Sequence, residues 1–336
     1  MNAHERIKVL GRTSVKSFLE GKELPPFPDT LDNTIVSTFR KCPQQCFREH
    51  FLCRVEDTGN IHLVAGAAYA AGHEAFRLGF YGKGALHKDY EGSLEAGILA
   101  IIKHYGYDEE RESSDRWAAS PKTCERMIGS FLDYWQQYHP KLAVGKMHFH
   151  EGVPSAEMGG KFPLDVLHPV TGKPLMYSIR FDYIENRGGQ IWLGDDKTTS
   201  SLGTSWAKQW DIRSQFLGYV YGARLLFDIP CIGVIARGTG ILKHSVSHME
   251  VPISVPEFMA AKWWKWVNLN AQKMVDAWKN AEWEYDFADG CAAYGGCKFA
   301  NSCNAKFEHK HLASMPIRVW NPEDPENSPT IKVEEL

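Results

Sequence analysis

RFDYIENRGGQIWLGDDKTTS, residues 180–200, is the stretch on which the reading of this chain turns. Apolar and aromatic residues run on both sides of Asn186, Arg187, Gly188 and Gly189, a compact turn signal between two strands. A hairpin at that turn sets Asp182 on one strand and Asp195 on its neighbour. On the second strand Asp195 and Lys197 are two residues apart, so their side chains leave the same face, while Asp196 points the other way. Two carboxylates and one ammonium then converge at one end of a sheet. Carboxylate oxygens suit a hard divalent cation such as Mg²⁺ or Mn²⁺. Such an ion polarises a phosphoryl oxygen and acidifies a bound water. A lysine beside it orients that water or offsets charge in a transition state. Asp-x-Lys near a strand end also fits a plain solvated rim.

Working outward, residues 1–30 form a polar arm that ends in PPFPDT. From Asn33 to about Phe51 the pattern is helical, with Pro43 starting a new turn. HLVAGAAYAAGHEAFRLGF (62–80) predicts a helix with a small-residue face, and EGSLEAGILAIIKHYG predicts another. SPKTCERMIGSFLDYWQQYH predicts a third, with Ser120 as N-cap and Pro121 at its first position. MHFHEGV, PLMYSIRFDYIE and QIWLGDDKT read as a three-strand meander. A helix over SWAKQWDIRSQFLGYVYGARLLF follows, then the strands CIGVIARG and HSVSHMEVPIS, then a long helix from about Pro256 to Ala281. The expected class is α/β, a core sheet flanked by helices with a large N-terminal helical portion.

Within QFLGYVYGARLLF, Gln215 and Tyr219 are four apart and share a helix face, where an amide and a hydroxyl can support the lysine or a phosphate. Together Asp182, Asp195-x-Lys197 and Gln215-x-x-x-Tyr219 resemble the motifs of the PD-(D/E)XK nuclease superfamily, specifically its RecB-like branch. That branch includes CRISPR-adaptation exonucleases, AddB-type nuclease domains and phage exonucleases. The resemblance spans roughly residues 34–305 and implies a restriction-endonuclease-like core. It implies Asp182, Asp195, Lys197, Gln215 and Tyr219 as catalytic residues, with the main-chain carbonyl of Asp196 as a further metal ligand. It also implies a ligand from the helix containing GAAYAAGHEAF, either Glu74 or the adjacent His73. Ala70 stands where the family's histidine falls, and Ile179 where many relatives have glycine. Glu151 resembles a commonly acidic family position.

Near the end stands CAAYGGCKFANSC, with Cys291, Cys297 and Cys303 separated by five residues each. Even spacing of three thiols asks for a ligand. Members of the branch often carry a 4Fe–4S cluster held by one early and three late cysteines. The resemblance therefore implies Cys42, in STFRKCPQQC, as the fourth ligand, with Cys46 as the alternative. Gly295 and Gly296 would allow the turn toward the cluster, and Tyr294 and Phe299 would shield it. Zinc remains open for four thiolates, although the gaps are longer than the short knuckles of structural zinc. Cys53, Cys124 and Cys231 lie among apolar residues and read as buried thiols.

The formal net charge of −3 makes no global case for a nucleic-acid partner. The last sixteen residues hold Glu323, Asp324, Glu326, Glu334 and Glu335 against Lys332 alone. No apolar run reaches the roughly 18–20 residues of a membrane span, and the N-terminus lacks a signal-peptide core. These features predict a cytoplasmic protein with no membrane partner. The expected organisation is an arm (1–30), a nuclease domain (31–305) with a helical insertion at about 82–145 and a cysteine staple at 291–303, and an acidic tail (306–336). The implied partner is DNA, single-stranded or with free ends, in recombination, repair or phage DNA processing, together with a recombination or repair protein. The implied reaction is exonucleolytic. A DNA-binding or assembly protein on the same fold, without catalysis, is the alternative, and a thiol-based redox or zinc protein a third reading. Trp263, Val267, Met274 and Trp278 fall at core spacing, whereas Trp264 lies off that stripe where it could stack a base. The lysines and histidines of KFEHKHLA (306–313) could contact phosphate.

Overall fold

The computed structural model describes residues 3–55, 61–82, 89–106, 120–287, 291, 296–323 and 330–331. In chain order the helices and strands begin with α1 (Ala3–Arg12), α2 (Val15–Leu19), β1 (Thr30–Leu31), α3 (Asn33–Lys41), α4 (Pro43–Cys46) and a π-helical turn (Phe47–Phe51). Then come α5 (Ile61–Tyr81), α6 (Tyr90–Tyr105), α7 (Cys124–Gln137), β2 (Lys146–Met147), β3 (Phe149–His150), β4 (Val153–Pro154), β5 (Ala156–Leu167), β6 (Pro174–Arg187) and β7 (Gln190–Thr199). The rest comprises α8 (Thr204–Lys208), α9 (Ser214–Phe227), β8 (Cys231–Ile241), β9 (Val246–Ser254), α10 (Glu257–Asn280), α11 (Ala300–Asn304), α12 (Glu308–Ala313), β10 (Ile317–Arg318) and β11 (Thr330–Ile331). The class is mixed α/β, as the alternation of periods predicts.

The chain divides into two compact units, one of residues 1–58, 160–179 and 262–336, the other of residues 59–159 and 180–261. In the second unit β6 and β7 are an antiparallel hairpin closed between Arg187 and Gln190. Gly188 and Gly189 both have positive φ, 58° and 88°, which the tight turn requires and glycine tolerates. β7 pairs in parallel with β8, and β8 antiparallel with β9. Helices cover both faces. Arg237 and Thr239 of β8 reach Tyr134 of α7 and Tyr69 of α5. The intervening Gly238 sits where a Cβ would meet the Trp206 ring of α8 at 2.5 Å. A core of Phe76, Ile101, Phe131 and Trp135 binds α5, α6 and α7 together.

In the first unit Phe27 packs on Phe51 and Trp278 at 5.3 and 5.8 Å between ring centroids, and Tyr177 on Trp263 at 5.3 Å. Trp263, Val267, Met274 and Trp278 are all buried, as their spacing predicts. Trp264 instead donates its Nε1–H to Asp165 at 3.1 Å.

Four expectations are corrected. The helix predicted from Ser120 begins at Cys124, because the Thr123 hydroxyl caps it by accepting from Arg126 N; Ser120 and Pro121 stand in the preceding turn. The helix over SWAKQWDIRSQFLGYVYGARLLF is two helices, α8 and α9, broken after Lys208. MHFHEGV does not make one strand: it gives short strands about a turn in which Glu151 and Gly152 have positive φ. The expected three-strand meander gains a further strand, β5, over residues to which the sequence pattern assigned no element. Among the described residues no helix is long and apolar enough to cross a membrane.

Candidate active site

The hairpin carries the site. Regular pairing of β6 with β7 reaches Tyr183 and Gly194. Just beyond, the carboxylate of Asp182 takes over: its Oδ2 accepts from the backbone N–H of Asp196 at 2.7 Å. Lys197 Nζ lies 3.0 and 2.7 Å from the two oxygens of Asp195, which is fully buried. Gly194 is needed here, because a Cβ at that position would run into the Tyr183 ring.

Asp196 does face the other way. Its carboxylate pairs with Arg77 of α5 and accepts from the Tyr134 hydroxyl at 2.9 Å. The Arg77 guanidinium lies 4.0 Å over the Tyr183 ring. Burial opposes ionisation of Asp196, but the cations of Arg77, foremost, and Arg237 outweigh it and hold its carboxyl below the usual range. Strand and helix are thereby locked on either side of the Asp195 and Lys197 pair.

The carboxyls on the Lys197 side behave oppositely. Burial, reinforced by Asp182, pushes Asp195 up to about 7 against the pull of Lys197. Burial also raises Asp182, with the charge of Asp196 adding to it. Burial would lower Lys197, yet Asp195 and Asp182 hold it above an ordinary lysine. From α9, Gln215 Nε2 donates to the Tyr219 hydroxyl at 2.6 Å. Burial raises the Tyr219 phenol, and the charges of Asp195 and Asp182 raise it further. The structure thus brings together Asp182, Asp195, Lys197, Gln215 and Tyr219.

The two alternatives on α5 part company. Glu74 lies close enough to Glu157 to raise it. His73 lies instead on the Asp196 side, against Tyr134. It is buried with its ring 4.4 Å from Tyr69, 4.3 Å from Tyr134 and 5.3 Å from Phe131. Burial takes it down to about 3, so the ring is neutral.

Glu157, at the start of β5, escaped the sequence reading. Its Oε2 lies 3.3 Å from Arg180 Nε, and its side chain is 13% exposed. Burial, then repulsion from Asp182, pushes it up to about 9. Its φ of 51° is left-handed, a conformation a non-glycine residue holds only where the surroundings impose it. Glu151, expected as the acidic position, stands exposed in the β3–β4 turn. The signal that would have found Glu157 is the strand β5 itself. Lys122 was also missed: it is 3% exposed and donates to Thr198 Oγ1 at 3.0 Å.

The donor chemistry here fits a hard divalent cation: three carboxyls cluster, with Lys197 against Asp195 and Arg180 against Glu157. The side chains are not a closed cage: among the described residues no three His, Cys, Asp or Glu stand ready around one ion position.

Cys42, Cys291, Cys297 and Cys303 line one cavity of about 270 Å³ in the first unit. Cys42 caps α4, its Sγ accepting from Gln45 N at 3.4 Å. The chain turns into Cys297 through Gly296, whose φ is 105°. Arg48, 1% exposed, donates from Nη1 to Cys303 Sγ at 2.9 Å and from Nε to Glu308 at 2.8 Å. Cys46 is fully buried and turned to the Ile35 carbonyl at 3.7 Å. Phe299 is buried and lies 5.8 Å from the Arg48 guanidinium. Tyr294 and Gly295 lie outside the described residues. The four thiols lining this cavity are a donor set that fits a thiophilic metal group.

No family model and no curated protein matches the chain. Solved structures similar to it include a protein from Eubacterium rectale described as "Putative exonuclease", at 13% identity and a TM-score of 0.46, covering 78% of this chain and 87% of that one. Another is SSO0001, at 13% identity and a TM-score of 0.27, covering 80% of this chain and 85% of that one. At such identity and superposition neither likeness bears on activity.

Proposed function

We propose that the protein is a divalent-metal-dependent deoxyribonuclease of the RecB-like PD-(D/E)XK type, acting as an exonuclease in DNA recombination, repair or phage DNA processing. One observation carries this reading. Asp182, Asp195 and Glu157 cluster with Asp195 fully buried and the other two half-buried, and desolvation and neighbouring carboxylates push all three carboxyls upward. Like charges gathered at such a cost point to a functional cation site rather than to a structural contact.

Asp182, Asp195 and Glu157, with Glu74 beside them, would hold Mg²⁺ or Mn²⁺, and the carbonyl of Asp196 would assist. The bound ion would supply Lewis-acid activation of a phosphodiester and a more acidic water. Lys197, anchored by Asp195, would orient the attacking water and offset charge on the phosphoryl oxygens. Tyr219, fixed by Gln215, would steady the carboxylates from the α9 side. Arg77 and Tyr134 would keep β7 from shifting by holding Asp196. The four thiolates of Cys42, Cys291, Cys297 and Cys303 would hold a 4Fe–4S cluster with a structural role, joining early and late segments of the first unit. The proposed partner is DNA, single-stranded or with a free end, together with a recombination or repair protein.

The test is degradation of end-labelled single- and double-stranded DNA in Mn²⁺ or Mg²⁺ by the native protein, Lys197→Ala and Asp195→Asn. Metal-dependent cleavage lost in both variants is expected. Absence of cleavage by a folded protein with its full iron complement would refute the enzyme and favour a DNA-binding member of the fold.

A further inference from the structure

A second cavity, of about 340 Å³, opens in the first unit where the α1–α2 junction meets the segment after the π-helical turn and α12. Its polar lining is Thr13, Ser14, Lys16, Arg54, His309 and Lys310, with no acidic residue. The histidine and lysine belong to KFEHKHLA, which the carboxylate site leaves unexplained.

Arg54 is the telling group. It is 4% exposed, with its backbone held by Arg48 O at 2.8 Å and by a bridge to Ile317. Its Nη1 donates to the Met315 carbonyl at 2.8 Å, and its Nε has no hydrogen-bond partner. Among the described residues no carboxylate pairs with it. Burial pulls its guanidinium below an ordinary arginine, and only the neighbouring Cys53 opposes that. Arg6 of α1 is buried too and donates to carbonyls alone, those of Pro26 and His50. Buried charges are normally paired, because an unpaired one forfeits its hydration. Here, among the described residues, two guanidiniums have no carboxylate partner, and one of them faces an open cavity lined by two lysines. Two of the lining residues do meet acids: Lys16 Nζ lies 3.5 Å from Glu20, and the Thr13 hydroxyl donates to Glu23 at 3.3 Å.

We propose that this cleft is a phosphate-binding site, with Arg54 as its buried anchor and Lys16 and Lys310 as its outer cations. A phosphate group supplies the missing negative charge and accepts from several donors at once. It could be a phosphodiester of a nucleic-acid backbone or free inorganic phosphate. The site does not depend on the nuclease reading, so binding is measured without divalent metal.

In EDTA, inorganic phosphate is titrated calorimetrically into the full chain, and labelled single-stranded and duplex DNA of about 20 nucleotides are followed by anisotropy against salt. The variants are Lys16→Gln/Lys310→Gln, whose changes are at the surface, and Arg54→Met, with Tm recorded to monitor folding. Weakening of phosphate and DNA together by about fivefold or more, with the salt slope for DNA reduced by about one to two in the double-lysine variant, identifies a backbone phosphate. Weakened phosphate with unchanged DNA identifies free phosphate as the occupant. A double-lysine variant that binds both like the native protein overturns the proposal.

Discussion

Replacing Arg77 by leucine should damage the second unit far more than its size suggests. The Arg77 and Asp196 side chains are each 2% exposed, and the pair shares its cavity with Tyr134 and Tyr183. Without the guanidinium, Asp196 remains buried with the Tyr134 hydroxyl as its remaining side-chain donor. Breaking one side of a buried ion pair costs about 3–5 kcal/mol, most of it the penalty of the orphaned charge. Removing both charges should cost much less. In Arg77→Leu/Asp196→Asn the amide keeps a hydrogen bond to Tyr134, so the loss should fall to about 1–2 kcal/mol. The double variant should then be about 2–3 kcal/mol more stable than Arg77→Leu alone. Urea unfolding followed by tryptophan fluorescence provides the assay, with Trp135 lying 5.6 Å from the Arg77 guanidinium as a local reporter. Equal destabilisation in the single and double variants, or a single-variant loss below about 1 kcal/mol, would refute the assignment of Arg77 and Asp196 as a mutually dependent buried pair.

Acid should destabilise the protein through two buried histidines. Burial lowers His50 from 6.5 to about 4 and His73 from 6.5 to about 3, so their stabilising contribution is full above pH 6.5 and is lost as pH falls through the folded values. At pH 4 the His73 share is about 3 kcal/mol, and thermal unfolding of His73→Phe should depend correspondingly less on pH between 6.5 and 4. If the proposed activity holds, Glu157→Gln should lower metal-dependent cleavage by about 100-fold, on the scale of other lost metal-site contacts, while Glu151→Gln cleaves normally; the reverse pattern would return the role to the exposed turn. Arg48→Met should release iron or zinc faster from anaerobically purified protein, read by metal analysis and the visible spectrum, because Cys303 loses its cationic donor. Cys46→Ser should retain metal as the native protein does, whereas loss equal to that of Cys42→Ser would reinstate Cys46 as a ligand.

The β6–β7 hairpin was legible because its information is local. Two glycines mark the turn, alternation marks the strands, and a period of two residues puts Asp195 and Lys197 on one side with Asp196 on the other. Gln215 and Tyr219 were legible for the same reason, being one helical turn apart on α9. The strand β5 was not, since Gly159, Gly160 and Pro163 contradict local strand preference and only pairing with β6 sustains it. With β5 hidden, Glu157 was hidden too, and attention settled on Glu151 six residues earlier.

His73 and Glu74 show where local pattern stops. Adjacent residues on a helix point about 100° apart, so one sequence motif cannot decide which of them meets the strands. The aromatic side chains of α7 decide it by enclosing the His73 ring, which leaves Glu74 to the Glu157 side. By itself, then, the sequence determined the hairpin, the alternation of carboxylates and lysine, and the helix face of Gln215 and Tyr219, because backbone periodicity acts over a few residues. Only the tertiary structure decided that Glu157 joins the carboxylates, that Cys42 rather than Cys46 faces the late cysteines, and that Arg54 is buried with no carboxylate partner among the described residues. Those outcomes depend on which surfaces exclude water from one another, a property of the packed chain rather than of any segment.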